Sequence, residues 1–120
     1  PHTDFAGVAA LFGKESGERN PAVLQTLLYS MMVTRMQEAG EMEGTDVCPS
    51  LYYVRLMNRP DYSPLLNLKD GRSITGYGPY REEFEAYLDG LLTEMFDASV
   101  PFRQCGDTRP CTFCAPICRR

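Results

Sequence analysis

Residues 20–40 read NPAVLQTLLYSMMVTRMQEAG, and the reading of this stretch decides the fold. Asn20 suits a helix cap, and Pro21 suits the first helical position because its missing N–H would be unpaired there anyway. Leu24, Leu27, Leu28, Met31, Met32 and Met36 recur at helical spacing,. Gly40 is a natural stop. The pattern predicts a helix over Pro21–Ala39. Within it, Gln25 and Tyr29 stand four residues apart, so they share one helix face.

Working outward, residues 1–19 read as a loop lead-in with one short helical turn at Phe5–Phe12. "GEMEGTDV" (40–47) is an acidic loop. "SLYYVRLM" (Ser50–Met57) is rich in β-branched and aromatic residues and predicts a strand, which "NRPDYSP" breaks,. In that strand Tyr52, Tyr53 and Met57 are expected as core and sheet-surface residues. Leu65–Lys69 and Arg72–Thr75 flank Asp70-Gly71, a two-residue hairpin signal. After Gly78-Pro79, a second helix is expected over Pro79–Phe96. Its stripe is Tyr80, Phe84, Tyr87, Leu88, Leu91, Leu92 and Met95,. Glu82, Glu83 and Glu85 read as a solvated face near the helix start, where negative charge is favoured.

These elements predict an α+β fold, one domain over 1–120, with two long amphipathic helices on about three short strands. So thin a platform suggests that part of the sheet lies outside the chain. The chain has no initiator Met and reads as a cut end. No apolar run approaches bilayer length, and no basic segment followed by an apolar one marks export,. These features point to a cytoplasmic protein with no membrane partner.

The net charge of −4 argues against broad nucleic-acid binding,. Residues 1–98 hold 8 basic and 15 acidic side chains, whereas residues 99–120 hold Arg103, Arg109, Arg119 and Arg120 against Asp107. A cationic tail thus follows an acidic body. That tail carries Cys105, Cys111, Cys114 and Cys118 as C-x5-C-x2-C-x3-C. Three readings stand open. Four thiolates can hold tetrahedral zinc or an iron–sulfur cluster. Reduced thiols can simply pack a terminal hook. Disulfides fit less well with an odd cysteine count. Cys48, before Pro49, is expected as a lone buried or half-buried thiol.

The succession of a Q-x3-Y helix, "LYYVR", a long amphipathic helix ending "EMFDASVPF", and a tail with C-x2-C and a last Cys before a basic end resembles the C-terminal half of RecB-like nucleases of the PD-(D/E)XK superfamily. The resemblance runs from about Phe12 to Arg120. It implies a metal-dependent DNA nuclease of recombination or repair, with DNA as substrate and a helicase subunit as a partner. By position, Gln25 and Tyr29 take the family's catalytic-site and substrate-binding roles, contacting the DNA backbone. Mg²⁺ or Mn²⁺ would serve the intact enzyme.

The family's catalytic aspartate, and its carboxylate spaced one residue from a lysine, precede the Q-x3-Y helix. Here Glu15 and Glu18 sit in a glycine-flanked loop with no strand ahead of them. The catalytic carboxylates and lysine are therefore expected outside this chain, which alone would be inactive. Cluster-bearing family members take one cysteine from far upstream, whereas here the fourth is the nearby Cys105. The rival reading is a small zinc-binding interaction module. A third is a stand-alone protein whose sheet is completed by a partner chain or a second copy.

Overall fold

A computed structural model describes residues 4–13, 19–44 and 46–102. The elements are β1 (Asp4–Phe5), α1 (Val8–Phe12), α2 (Pro21–Glu38), β2 (Asn67–Leu68) and α3 (Gly78–Phe96), with a short 3₁₀ turn at Val54–Leu56. The fold is α+β: three helices pack on a small parallel sheet in which Asp4 pairs with Asn67 and Phe5 with Leu68.

Local chemistry sets the bounds of α2. The Asn20 side chain accepts a hydrogen bond from the Val23 amide (3.3 Å), and Pro21 opens the helix,. At the far end the Gly40 amide donates to the Gln37 carbonyl (3.0 Å) and the Glu41 amide to the Met36 carbonyl (2.9 Å). Gly40 has φ +75°, the left-handed conformation that such a pair of reversed bonds requires,.

Two expectations need correction. Ser50–Met57 is not a strand. Only Ser50 pairs, antiparallel with Leu65, and the chain then coils into the 3₁₀ turn. The cause lies nine residues on. The Tyr62 hydroxyl accepts from the Tyr53 amide (2.7 Å) and donates to the Leu51 carbonyl (3.0 Å). Those are backbone groups that a strand would have offered to a neighbour. The expected three-strand platform is thus a two-stranded sheet plus isolated bridges.

The hairpin forms where expected, but its loop is longer by one residue. The Leu68 amide donates to the Arg72 carbonyl (2.8 Å), so Lys69-Asp70-Gly71 is the loop. The Gly71 amide closes the turn on the Leu68 carbonyl (2.9 Å), and Gly71 takes φ +89°. This is the three-residue hairpin with a left-handed glycine.

The core comprises Phe5, Val8 and Leu11; Val23, Leu27 and Met31 of α2; Leu66, Leu68 and Ile74 around the hairpin; and Tyr77 and Phe84. Phe84 is its aromatic hub. Its ring lies 5.5 Å from that of Phe12 and 6.1 Å, edge-on, from that of Tyr77. Phe12 also stacks on Tyr87 at 5.7 Å. The buried line of α2 is rotated from the expected one: Val23 and Ser30 are inside, while Met32 and Met36 are exposed. On α3 only Phe84 is fully buried. Leu91, Leu92, Met95 and Phe96 remain exposed, and Tyr87 is 42% exposed beside its stack with Phe12, so the second half of the apolar stripe stands largely open among the described residues. Among the described residues, no helix is long and apolar enough to cross a membrane.

Candidate functional site

The polar face of α2 looks onto a groove of about 400 Å³. Ala22, Gln25, Thr26 and Tyr29 supply part of one wall, and Val47–Leu51 supply the other. The second wall is held by the antiparallel Ser50–Leu65 bridge, with the Leu51 amide donating to the Pro64 carbonyl (2.7 Å).

Gln25 and Tyr29 are exposed and bonded to each other. The Gln25 Nε2 donates to the Tyr29 Oη at 2.8 Å. The consequence is chemical. The phenol's acceptor site is engaged, so its own O–H is left to donate outward. The amide keeps one N–H and its carbonyl oxygen. The pair therefore offers two donors and one acceptor side by side, without net charge.

The neighbouring hydroxyls are already spent. Thr26 Oγ1 donates to the Ala22 carbonyl (2.8 Å), Ser30 Oγ to the Thr26 carbonyl (2.9 Å), and Thr34 Oγ1 to the Ser30 carbonyl (2.8 Å),. Ser30 is buried yet satisfied in this way. Across the groove, Cys48 is exposed rather than buried, because it sits on the open wall and not under it. Its Sγ lies 3.9 Å from the Ser50 Oγ. Sequence reading missed this wall, and only the Cys48-Pro49 break hinted at an irregular segment.

Other expected residues fall elsewhere. Tyr52 and Met57 are exposed, since the strand meant to bury them does not form. Glu82 and Glu83 are solvated, but Glu85 is not a bystander. It bonds Arg35 of α2 (3.0 Å) and, through Nε, Arg81 of its own helix (2.9 Å), and Arg81 also grips Glu38 with Nη1 and Nη2. Burial pushes the Glu85 carboxyl up, but Arg35 and Arg81 outweigh it and hold it below its ordinary value. Hydrogen bonding from Arg81 likewise lowers Glu38. This four-residue network ties α2 to α3.

Among the described residues, no group of three or more His, Cys, Asp or Glu side chains could hold a metal ion. The groove walls carry no carboxylate among them. Cys105, Cys111, Cys114 and Cys118 lie outside the described residues, as do Glu15 and Glu18.

Comparison with known proteins found no family model, no curated protein and no solved structure that matches this chain.

Proposed function

We propose that this chain is the C-terminal segment of a cytoplasmic, metal-dependent DNA nuclease of the RecB-like, PD-(D/E)XK type. The observation that carries the reading is the Gln25–Tyr29 pair: joined at 2.8 Å, free on the outside, and standing over an open groove. A phosphodiester oxygen needs donors but tolerates no nearby uncompensated carboxylate. An O–H and an N–H from a neutral pair meet that need. The remaining amide oxygen can accept from a water or from a donor standing behind the metal's ligands.

Gln25 and Tyr29 are neutral and do not make a ligand set for Mg²⁺ or Mn²⁺. On this reading the metal's carboxylate ligands and the lysine belong to polypeptide outside the chain. This segment contributes substrate positioning. The α2 helix fixes both side chains, because its ends are capped and its inner face is anchored by Val23, Leu27 and Met31.

The test is Gln25→Ala and Tyr29→Phe in the intact enzyme. Each should lower cleavage by about 10- to 100-fold, the usual cost of losing a residue that orients a metal site. Stability should move by no more than about 0.5 kcal/mol, since both side chains are exposed. Unchanged cleavage, or unfolding of either variant, would reject the role assigned to the pair.

A further inference from the structure

A cleft of about 630 Å³ lies against the second half of α3. Phe12 and Leu91 line it, and so do Val100 and Phe102 just after the helix. Leu91, Val100 and Phe102 are all exposed, Phe102 to 93%. Contiguous open apolar surface marks a place where something docks.

Charge restricts what that is. Residues 78–97 hold six acidic side chains, with Arg81 alone of opposite sign. Arg81 and Glu85 are committed to the network with Arg35 and Glu38, and Asp97 accepts from Ser99. Glu82, Glu83, Asp89 and Glu94 make no ion pair among the described residues. Glu94 lies on the cleft itself. Arg19, also on the cleft, is engaged by the Gly13 carbonyl. A second copy of the chain fits poorly, because it would lay one acidic helix on another. A cationic segment with apolar anchors fits.

Such a segment begins at the cleft. Residues 103–120, outside the described residues, follow Phe102 directly and hold four arginines against Asp107. Within them Phe113-Cys114-Ala115-Pro116-Ile117 is an uncharged run, with Arg119-Arg120 close behind. Phe113 is eleven residues from Phe102, and that tether spans about 36–40 Å at most, ample for a return to the cleft,. A tether so short holds the run at an effective concentration of about millimolar.

We propose that Phe113 and Ile117 dock in the α3 cleft of their own chain, with Arg119 and Arg120 set toward Glu94. Apolar contact seats the segment, and the acidic helix selects it over a second α3. The inference stands apart from the nuclease reading and asks no metal of the cysteines.

The chain has no Trp, so Phe113→Trp in the full chain places a single indole on the segment. In EDTA its emission should be blue-shifted, and acrylamide should quench it several-fold less than free N-acetyltryptophanamide. Leu91→Asp in that background should lower the docking constant about tenfold or more, since a carboxylate cannot share an apolar seat. Val100→Asp should do the same without altering α3. Met95→Ala trims the cleft without charging it and should lower docking only about twofold,. Glu94→Lys should lower it about 2- to 5-fold at low salt, and that loss should disappear in an Arg119→Ala/Arg120→Ala background. Leu91, Glu94 and Val100 are exposed, and circular dichroism checks the fold of each variant.

An indole quenched as readily as the free compound overturns the proposal. Equal protection in the parent, Leu91→Asp and Val100→Asp proteins overturns it too, because the segment then sits elsewhere. Protection lost on hundredfold dilution gives the cleft to the tail of a second copy and overturns docking within one chain. Protection present without EDTA and lost with it assigns the hold to a metal and overturns the apolar seat.

Discussion

Phe84→Ala should be the most damaging single change in α3, and its cost follows from the packing. Phe84 is fully buried, with Phe12 at 5.5 Å and Tyr77 at 6.1 Å. Both rings belong to other segments of the fold, Phe12 to α1 and Tyr77 to the turn before α3. Truncating a buried Phe costs about 3–5 kcal/mol, the lost transfer energy plus the cavity left behind. A chain of 120 residues is stable by about 6–18 kcal/mol on the usual per-residue scale,. Unfolding entropy of about 250 cal/mol/K for that length converts a 4 kcal/mol loss into about 16 °C of Tm.

Met95→Ala is the matched control. It lies on the same stripe but is 51% exposed, and should cost less than about 0.5 kcal/mol, or about 2 °C,. Urea unfolding followed by circular dichroism, with calorimetry for Tm, measures both. The slope m should stay constant, so that the midpoint alone carries the change. Equal losses for the two variants would refute the claim that α3 is held by its first half and stands free in its second.

Tyr77→Phe should stabilise the protein by about 1 kcal/mol, or about 4 °C, because the buried Tyr77 hydroxyl has no hydrogen-bond partner among the described residues,. Burial, and secondarily Glu85, push that phenol up to about 12, so alkaline absorbance titration of the variant should lose the component that ionises near pH 12. A drop in stability would show that the hydroxyl is satisfied. The network of Glu38, Glu85, Arg35 and Arg81 sets a pH dependence. Both carboxyls lie below their ordinary value of 4.5 when folded, so their contribution is fully present above that pH and is lost as pH falls through the lowered values,. Urea midpoints between pH 7 and pH 2.5 should fall less steeply for Glu85→Gln than for wild type, and parallel profiles would dismiss the network.

What the sequence disclosed tracks how local the deciding interactions are. The bounds of α2 rest on Asn20, Pro21 and Gly40, all within a turn of its ends, and the observed Pro21–Glu38 differs from expectation by one residue. The start of α3 at Gly78-Pro79 is equally local. Ser50–Met57 was misread because a hydroxyl at position 62 claims its backbone, and no propensity of residues 50–57 contains that information. The α3 stripe was legible as an apolar face, but pattern does not say how far along it the cover extends. Phe12 and Tyr77 reach Phe84, and Leu91, Leu92 and Met95 stay exposed.

The site shows the same division, with one instructive turn. That Gln25 and Tyr29 are neighbours follows from spacing alone. That they are the available groups does not, since Thr26, Ser30 and Thr34 lie on adjoining positions and carry equally polar tips. The hydroxyls of these three each reach the carbonyl four residues back, which a long amide cannot do as compactly and a phenol cannot do at all,. Short polar side chains on this face of α2 thus turn inward upon the helix, and the two long ones beside them, Gln25 and Tyr29, turn to each other and to the groove. Side-chain length, read with helical period, is therefore the sequence signal that separates the reactive edge of α2 from its merely polar one. The wall opposite, Val47–Leu51, is delivered by pairing with Leu65 and by the Tyr62 clamp. It could emerge only from the fold.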